Sequence, residues 1–180
     1  MPYAVTHILS AIILTELFRD YFIKKNKKFP RYYIFVAVLG AMIPDIDIAG
    51  YYVLSFFGFS FEQIHRTFFH TVFIPLILFL VGIFTYAAKI KNNEFGKRHI
   101  TIHITFFILA LGSLLHLILD AVLAGYIRPL YPFSSFQIGL NLVGLIPIAR
   151  QDLILPTLDG IFLIFWIFWM EFKLKVRDYF

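Results

Sequence analysis

Seven residues of this chain combine metal-ligating side chains with apolar surroundings: His7, Asp45, Asp47, His65, His70, His116 and Asp120. Asp45 and Asp47 lie in "GAMIPDIDIAGYY", where each carboxylate costs roughly 2.5–3.5 kcal/mol if the segment crosses a bilayer. Imidazoles and carboxylates in a chain without cysteine form a ligand set for Zn²⁺, with Mn²⁺ or Fe²⁺ as further candidates. One or two such ions would balance the aspartate charges. His116 and Asp120, in "GSLLHLILD", are i and i+4 and share one helix face. Gly112 and Ser113, one turn earlier, let a second helix approach closely. In "HRTFFHT", His65 and His70 are five residues apart, about 140° around a helix, so a regular helix cannot aim both at one ion. The expectation is that Thr67 caps a helix, with His65 in the preceding loop and His70 in the first turn. Arg66 is then either an interfacial anchor or a contact for a phosphate or other oxyanion.

The elements that must position these residues follow from composition. Of the 180 residues, 60% are hydrophobic and only 15% charged, against about a quarter charged in soluble domains. Runs at 3–23, 68–88, 100–119 and 153–172 approach the ~20 residues of a membrane-spanning helix. The fold class is therefore all-α: an integral membrane bundle of about five transmembrane helices in one domain, 1–180. Thirteen of sixteen Lys and Arg fall in three clusters, Arg19–Arg31, Lys89–Arg98 and Lys173–Arg177, the pattern of cytoplasmic loops. That distribution, more than the net charge of +5, excludes nucleic acid as the partner and points to membrane lipid.

The clusters set a topology in the plasma membrane with the N-terminus outside and the C-terminus cytoplasmic. Helices are expected at about 3–23, from Tyr32 onward, at 67–89, 100–122 and 157–174. The first reads as a retained helix and not as a cleaved signal peptide, since no positive region precedes it. Pro44 breaks the second helix, and residues 46–61 either finish it after a kink or form a separate half-helix. Residues 136–149 are apolar but short, which favours a re-entrant or interfacial segment. With a rise of 1.5 Å per residue, His7, Asp45, His70, His116 and Asp120 all fall ~20–30 Å above the cytoplasmic boundary, in one layer. A single histidine or aspartate in a membrane is equally explained as an interhelical hydrogen bond; convergence in one layer is what suggests a site. His99, His103, Glu16, Arg19, Asp20, Trp166 and Trp169 read as loop, boundary or packing residues; Asp159, at the outer end of the last helix, is close in height to the cluster but reads better as a helix cap.

The ordered set of His7, "PDID" at 44–47, "HRTFFH" at 65–70, "GSLLHLILD" at 112–120 and "AGYIRPLYPF" at 124–133 resembles the YdjM-like family of membrane-bound metal-dependent hydrolases. Residues 4–135 carry the resemblance. It implies His7, Asp45, Asp47, His65, His70, His116 and Asp120 as the metal-site residues. Ile48 stands where the family often has a further histidine. The His-x-x-x-Asp pair is also similar to one in zinc-dependent phospholipase C enzymes.

These readings lead to a metal-dependent hydrolase of a lipid or lipid-linked phosphoester at the outer-leaflet side. Asp45 or Asp120 would be ligand or base, and Arg66 would steady developing negative charge. Two other classes compete: a small ion or proton transporter, and a non-catalytic membrane protein whose cluster is structural. Against transport, the titratable groups gather on one side and no inverted repeat is visible.

Overall fold

A computed structural model describes residues 4–21, 29–65, 67–88, 93–95, 98–123 and 125–174. Seven α-helices occupy most of these residues: α1 Ala4–Tyr21, α2 Tyr32–Met42, α3 Ile46–Leu54, α4 Phe61–Ile64, α5 Phe73–Ala87, α6 Ile102–Leu123 and α7 Ile148–Leu174. Short 3₁₀ turns follow α3 at Ser55–Phe57 and precede α7 at Leu142–Leu145. A small antiparallel hairpin, β1 Asn93–Phe95 with β2 Arg98–Ile100, precedes α6. The all-α expectation holds apart from this hairpin.

Two helices meet the length and composition of a membrane span alone, Ile102–Leu123 and Ile148–Phe172; α2 with the Ile46–Phe57 segment makes a third if the bent pair is one span. That is fewer than the five expected. α5, at 15 residues, reaches only ~22 Å of a ~30 Å hydrocarbon core. α1 carries Glu16, Arg19 and Asp20 within its 18 residues, too many charges for a clean span.

Pro44 has the effect expected of it. Proline removes a helical donor, and the chain stops at Met42, restarts at Ile46 and bends by 42°. Residues 46–57 thus form a separate half-helix. Two other boundaries differ. α5 is capped at Val72 and not at Thr67, because the Thr67 hydroxyl donates to the Ile64 carbonyl instead of the helix end. α7 begins nine residues earlier than expected, at Ile148, and carries Pro156 in its interior. Residues 136–147, within the expected re-entrant stretch, contain only the short 3₁₀ turn and one bridging residue, Ile138.

The core lies where α2 crosses α6. Tyr33, Ala37, Ala41, Ala11 and Ile108 are buried there, and the Thr101 amide donates to the Tyr33 hydroxyl. Small residues let the backbones nearly touch: a Cβ on Gly40 would lie 2.9 Å from the Leu109 Cα, and one on Gly112 would lie 2.8 Å from the Ala41 nitrogen. α6 buries Ser113, His116, Leu117 and Asp120 on one face, at the i, i+3, i+4, i+7 spacing of a single stripe. α7 has almost none of its apolar side chains buried within the protein, as for a helix that presents them to lipid.

Candidate metal centre

Four stretches of chain bring the seven expected residues together. His7 comes from the first two turns of α1, and Asp45 and Asp47 from the start of α3. His65 and His70 come from the irregular segment between α4 and α5, and His116 and Asp120 from α6. The break at Pro44 matters here. It places Asp45 and Asp47 at a helix N-terminus, where free amides and the positive dipole end favour negative charge. The 140° problem does not arise, since His65 lies just past α4 and His70 in the irregular 67–72 segment ahead of α5, not on one helix. His70 sits ahead of α5 and not in its first turn. Arg66 lies outside the described residues.

All of these side chains except Asp45 are buried, and His70, His116 and Asp120 are at most 1% exposed. The His116 Nδ1 lies 2.7 Å from the Ala41 carbonyl oxygen, which can only accept, so Nδ1–H donates and Nε2 is left bare. The His70 Nδ1 lies 3.0 Å from Asp47 Oδ2, while the other Asp47 oxygen lies 3.0 Å from His65 Nδ1. His70 and His116 turn their Nε2 atoms toward the same point. Those two nitrogens are 3.3 Å apart. Asp45 Oδ1 is 3.7 Å from His70 Nε2 and 3.6 Å from His116 Nε2. Asp120 Oδ2 is 3.4 Å and 3.7 Å from the same two atoms.

These spacings match co-ligands better than direct hydrogen bonds. Ligands ~2.0–2.1 Å from a tetrahedral ion are ~3.3–3.4 Å apart. Two imidazole lone pairs facing each other beside two carboxylates repel unless positive charge lies among them. The donor set therefore fits a divalent cation at Asp45, His70 and His116, with Asp120 Oδ2 within 3.4–3.7 Å of the same two nitrogens. Asp47, between His65 and His70, is placed where a carboxylate can either ligate an ion or orient a ligating histidine. His7 stacks on His116, with ring centroids 3.8 Å apart, and its Nε2 lies 3.5 Å from Asp120 Oδ1. Three overlapping groups of ligand atoms result: His7, His116 and Asp120; Asp45, His70 and His116; Asp47, His65 and His70.

Two features were not anticipated. Asp159 does not cap a helix; it lies inside α7 and accepts a hydrogen bond from the buried Thr6 hydroxyl, next to His7. A cavity of about 390 Å³ also opens at His65, with Arg128 and Gln137 on its wall. Its sequence signal is Arg128 itself, one of only three basic residues outside the clusters, with Arg66 and Arg150. His103 packs against Tyr86 as an ordinary aromatic neighbour.

No curated protein and no solved structure matches the chain. The family model described as YdjM inner membrane protein matches residues 1–174. The chain belongs to that family of inner membrane proteins.

Proposed function

We propose, taking membership of an inner membrane protein family as the premise, that this chain is a metal-dependent hydrolase of a lipid or lipid-linked phosphoester. The observation that carries the reading is the pair of imidazole Nε2 atoms 3.3 Å apart, faced by Asp45 and Asp120. His70, His116, Asp45 and Asp120 would hold the ion, with zinc the best match to this ligand set. A bound divalent ion would supply Lewis acidity toward the scissile group and a water acidic enough to react near neutral pH. The Ala41 carbonyl keeps His116 in the required tautomer, and Asp47, 3.0 Å from His70 Nδ1, would do the same for His70. Asp45, the one member of the cluster that is not buried, would otherwise serve as the general base in place of ligation. Arg66 is assigned the developing negative charge.

The topology belongs to the same proposal. α1, the α2–α3 pair, α5, α6 and α7 would lie across or within the membrane, with the basic clusters cytoplasmic and the metal centre toward the outer leaflet. The shortness of α5 is compatible with a helix whose outer end gives way to the irregular 67–72 segment within the protein.

Metal content of the detergent-purified protein tests the reading, beside an Asp45→Ala, Asp120→Ala variant. One or two equivalents of a transition metal, lost in the variant, are expected. Phosphoesterase activity that survives in a His116→Ala, Asp120→Ala variant would refute the assignment, as would a parent protein that takes up no metal after reloading.

A further inference from the structure

The cavity at His65 is built by the loop that follows α6, and that loop is tied to the chain on both sides of the metal centre. The Leu140 amide donates to the Ala121 carbonyl at 2.7 Å, one residue past Asp120. The Val72 amide donates to the Pro129 carbonyl at 3.0 Å, two residues past His70. Gly125 starts the loop with φ of 128°, a region open to glycine alone at little cost. Between the ties, Ile127 and Ile138 exchange two backbone hydrogen bonds of 3.0 Å.

That bridge decides which side chains face the cavity. Ile127 is buried, so alternation along the extended chain turns Tyr126 and Arg128 the other way, with Gln137 opposite Arg128. All three line the cavity, together with Phe61, His65 and Thr67. No carboxylate lines it among the described residues. A guanidinium, an amide and a phenol thus share one wall. Beside them is His65, whose Nδ1 is 3.0 Å from Asp47 in the metal centre. The volume suits a small polar ligand or headgroup.

We propose that this cavity binds the phosphate of the substrate, with Arg128 paired to it and Gln137 and Tyr126 donating hydrogen bonds. Guanidinium matches phosphate with two parallel hydrogen bonds. The choice of phosphate over other anions rests on the phosphoesterase reading. Arg128, held by the loop, presents the anion at the His65 end of the cluster, with Phe61 as the apolar side wall.

Two phosphate-bearing sources fit, a lipid headgroup and a free phosphate, and calorimetric titration separates them. The probes are inorganic phosphate and dihexanoyl phosphatidic acid, with dihexanoylglycerol as the uncharged control. The full-length protein in detergent is titrated both stripped by a chelator and loaded with zinc. Both phosphate probes are expected to bind the parent, and Arg128→Gln to weaken them by roughly tenfold to a hundredfold. Arg128→Lys should recover part of that loss, and Arg150→Gln should stay within about twofold of the parent. Tighter binding of the lipid assigns the cavity to a headgroup, and equal binding assigns it to a soluble phosphate compound. Equal affinities in the parent and Arg128→Gln would overturn the proposal, as would an Arg150→Gln loss as large as that of Arg128→Gln. Zinc content measured on the same samples reports on the metal centre alone and shows whether Arg128→Gln still folds. If Arg128→Gln does not fold, Gln137→Leu replaces it, with a severalfold loss expected and no change refuting the assignment. A parent that binds phosphate through Arg128 but never holds zinc would remove the hydrolase reading and leave the anion site standing.

Discussion

Replacing Gly112 by alanine adds one methyl group at the place where α6 meets α2. The new Cβ would collide with the Ala37 carbonyl oxygen and lie 2.8 Å from the Ala41 nitrogen, where ordinary contact begins at 3.4 Å. These neighbours are backbone, so no side chain can swing away. α2 must retreat by roughly 0.6 Å or more, and overpacking of this kind costs about 1–3 kcal/mol. The same retreat acts on the metal centre. Ala41 supplies the carbonyl that accepts from His116 Nδ1 at 2.7 Å, and the chain runs on from Ala41 into Asp45. A shift of that size would stretch the His116 contact past 3 Å and carry Asp45 away from both imidazoles. The expected outcome is a lower midpoint of thermal inactivation in detergent together with a zinc affinity reduced ~10–100-fold, as for other losses of orienting contacts. Gly160→Ala is the control, since nothing lies within 4 Å of a Cβ there, and it should match the parent in both assays. A Gly112→Ala protein with parental stability and zinc affinity would refute the close α2–α6 packing and its support of His116.

Two further outcomes can be checked with the same preparations. Asp47→Asn keeps the shape but cannot accept from both His65 and His70, so zinc affinity measured by chelator competition should fall ~10–100-fold with unchanged stoichiometry. A drop from two ions to one would instead mean that Asp47, His65 and His70 hold an ion of their own. Thr6→Val removes the hydrogen bond to Asp159 that joins α1 to α7. Its cost should be about 0.6 kcal/mol and no more than about 2 kcal/mol in detergent unfolding, as for other interhelical bonds in membranes, while Thr6→Ser stays near the parent.

The meeting of these seven residues was legible because their types are out of place: charge and imidazole in greasy segments need partners, and 1.5 Å per residue puts them at one height. The break at Pro44 was legible for the same local reason, a missing donor. The start of α5 was not. Thr67 resembles an N-cap, but its hydroxyl is taken by the Ile64 carbonyl, and apolar periodicity does not reveal such a competition. The number of spans was also overread, because hydropathy alone does not show where a helix ends inside an apolar run. The start of α7 at Ile148 is of this kind. Arg128 was hidden by distance: its alignment with Gln137 depends on the Ile127–Ile138 bridge, a pairing between residues with no shared periodic pattern. The same holds for Thr6 and Asp159, whose contact spans 153 positions.

The spread of the cluster along the chain also bears on how the protein is made. A ribosome delivers His7 first, then Asp45 and Asp47, and only after about seventy more residues the His116 and Asp120 that complete the centre. Until then the nascent chain holds two carboxylates at a helix break too short on either side to cross the bilayer alone, with 11 residues before it and 9 after. Gly112, which lets α2 seat against α6, arrives just ahead of His116 on the same helix. Arrival of α6 therefore supplies, within one helix, both the surface that seats the broken helix and the last two side chains of the cluster. Seating of the broken helix against its partner thus comes late in synthesis, once α6 is present.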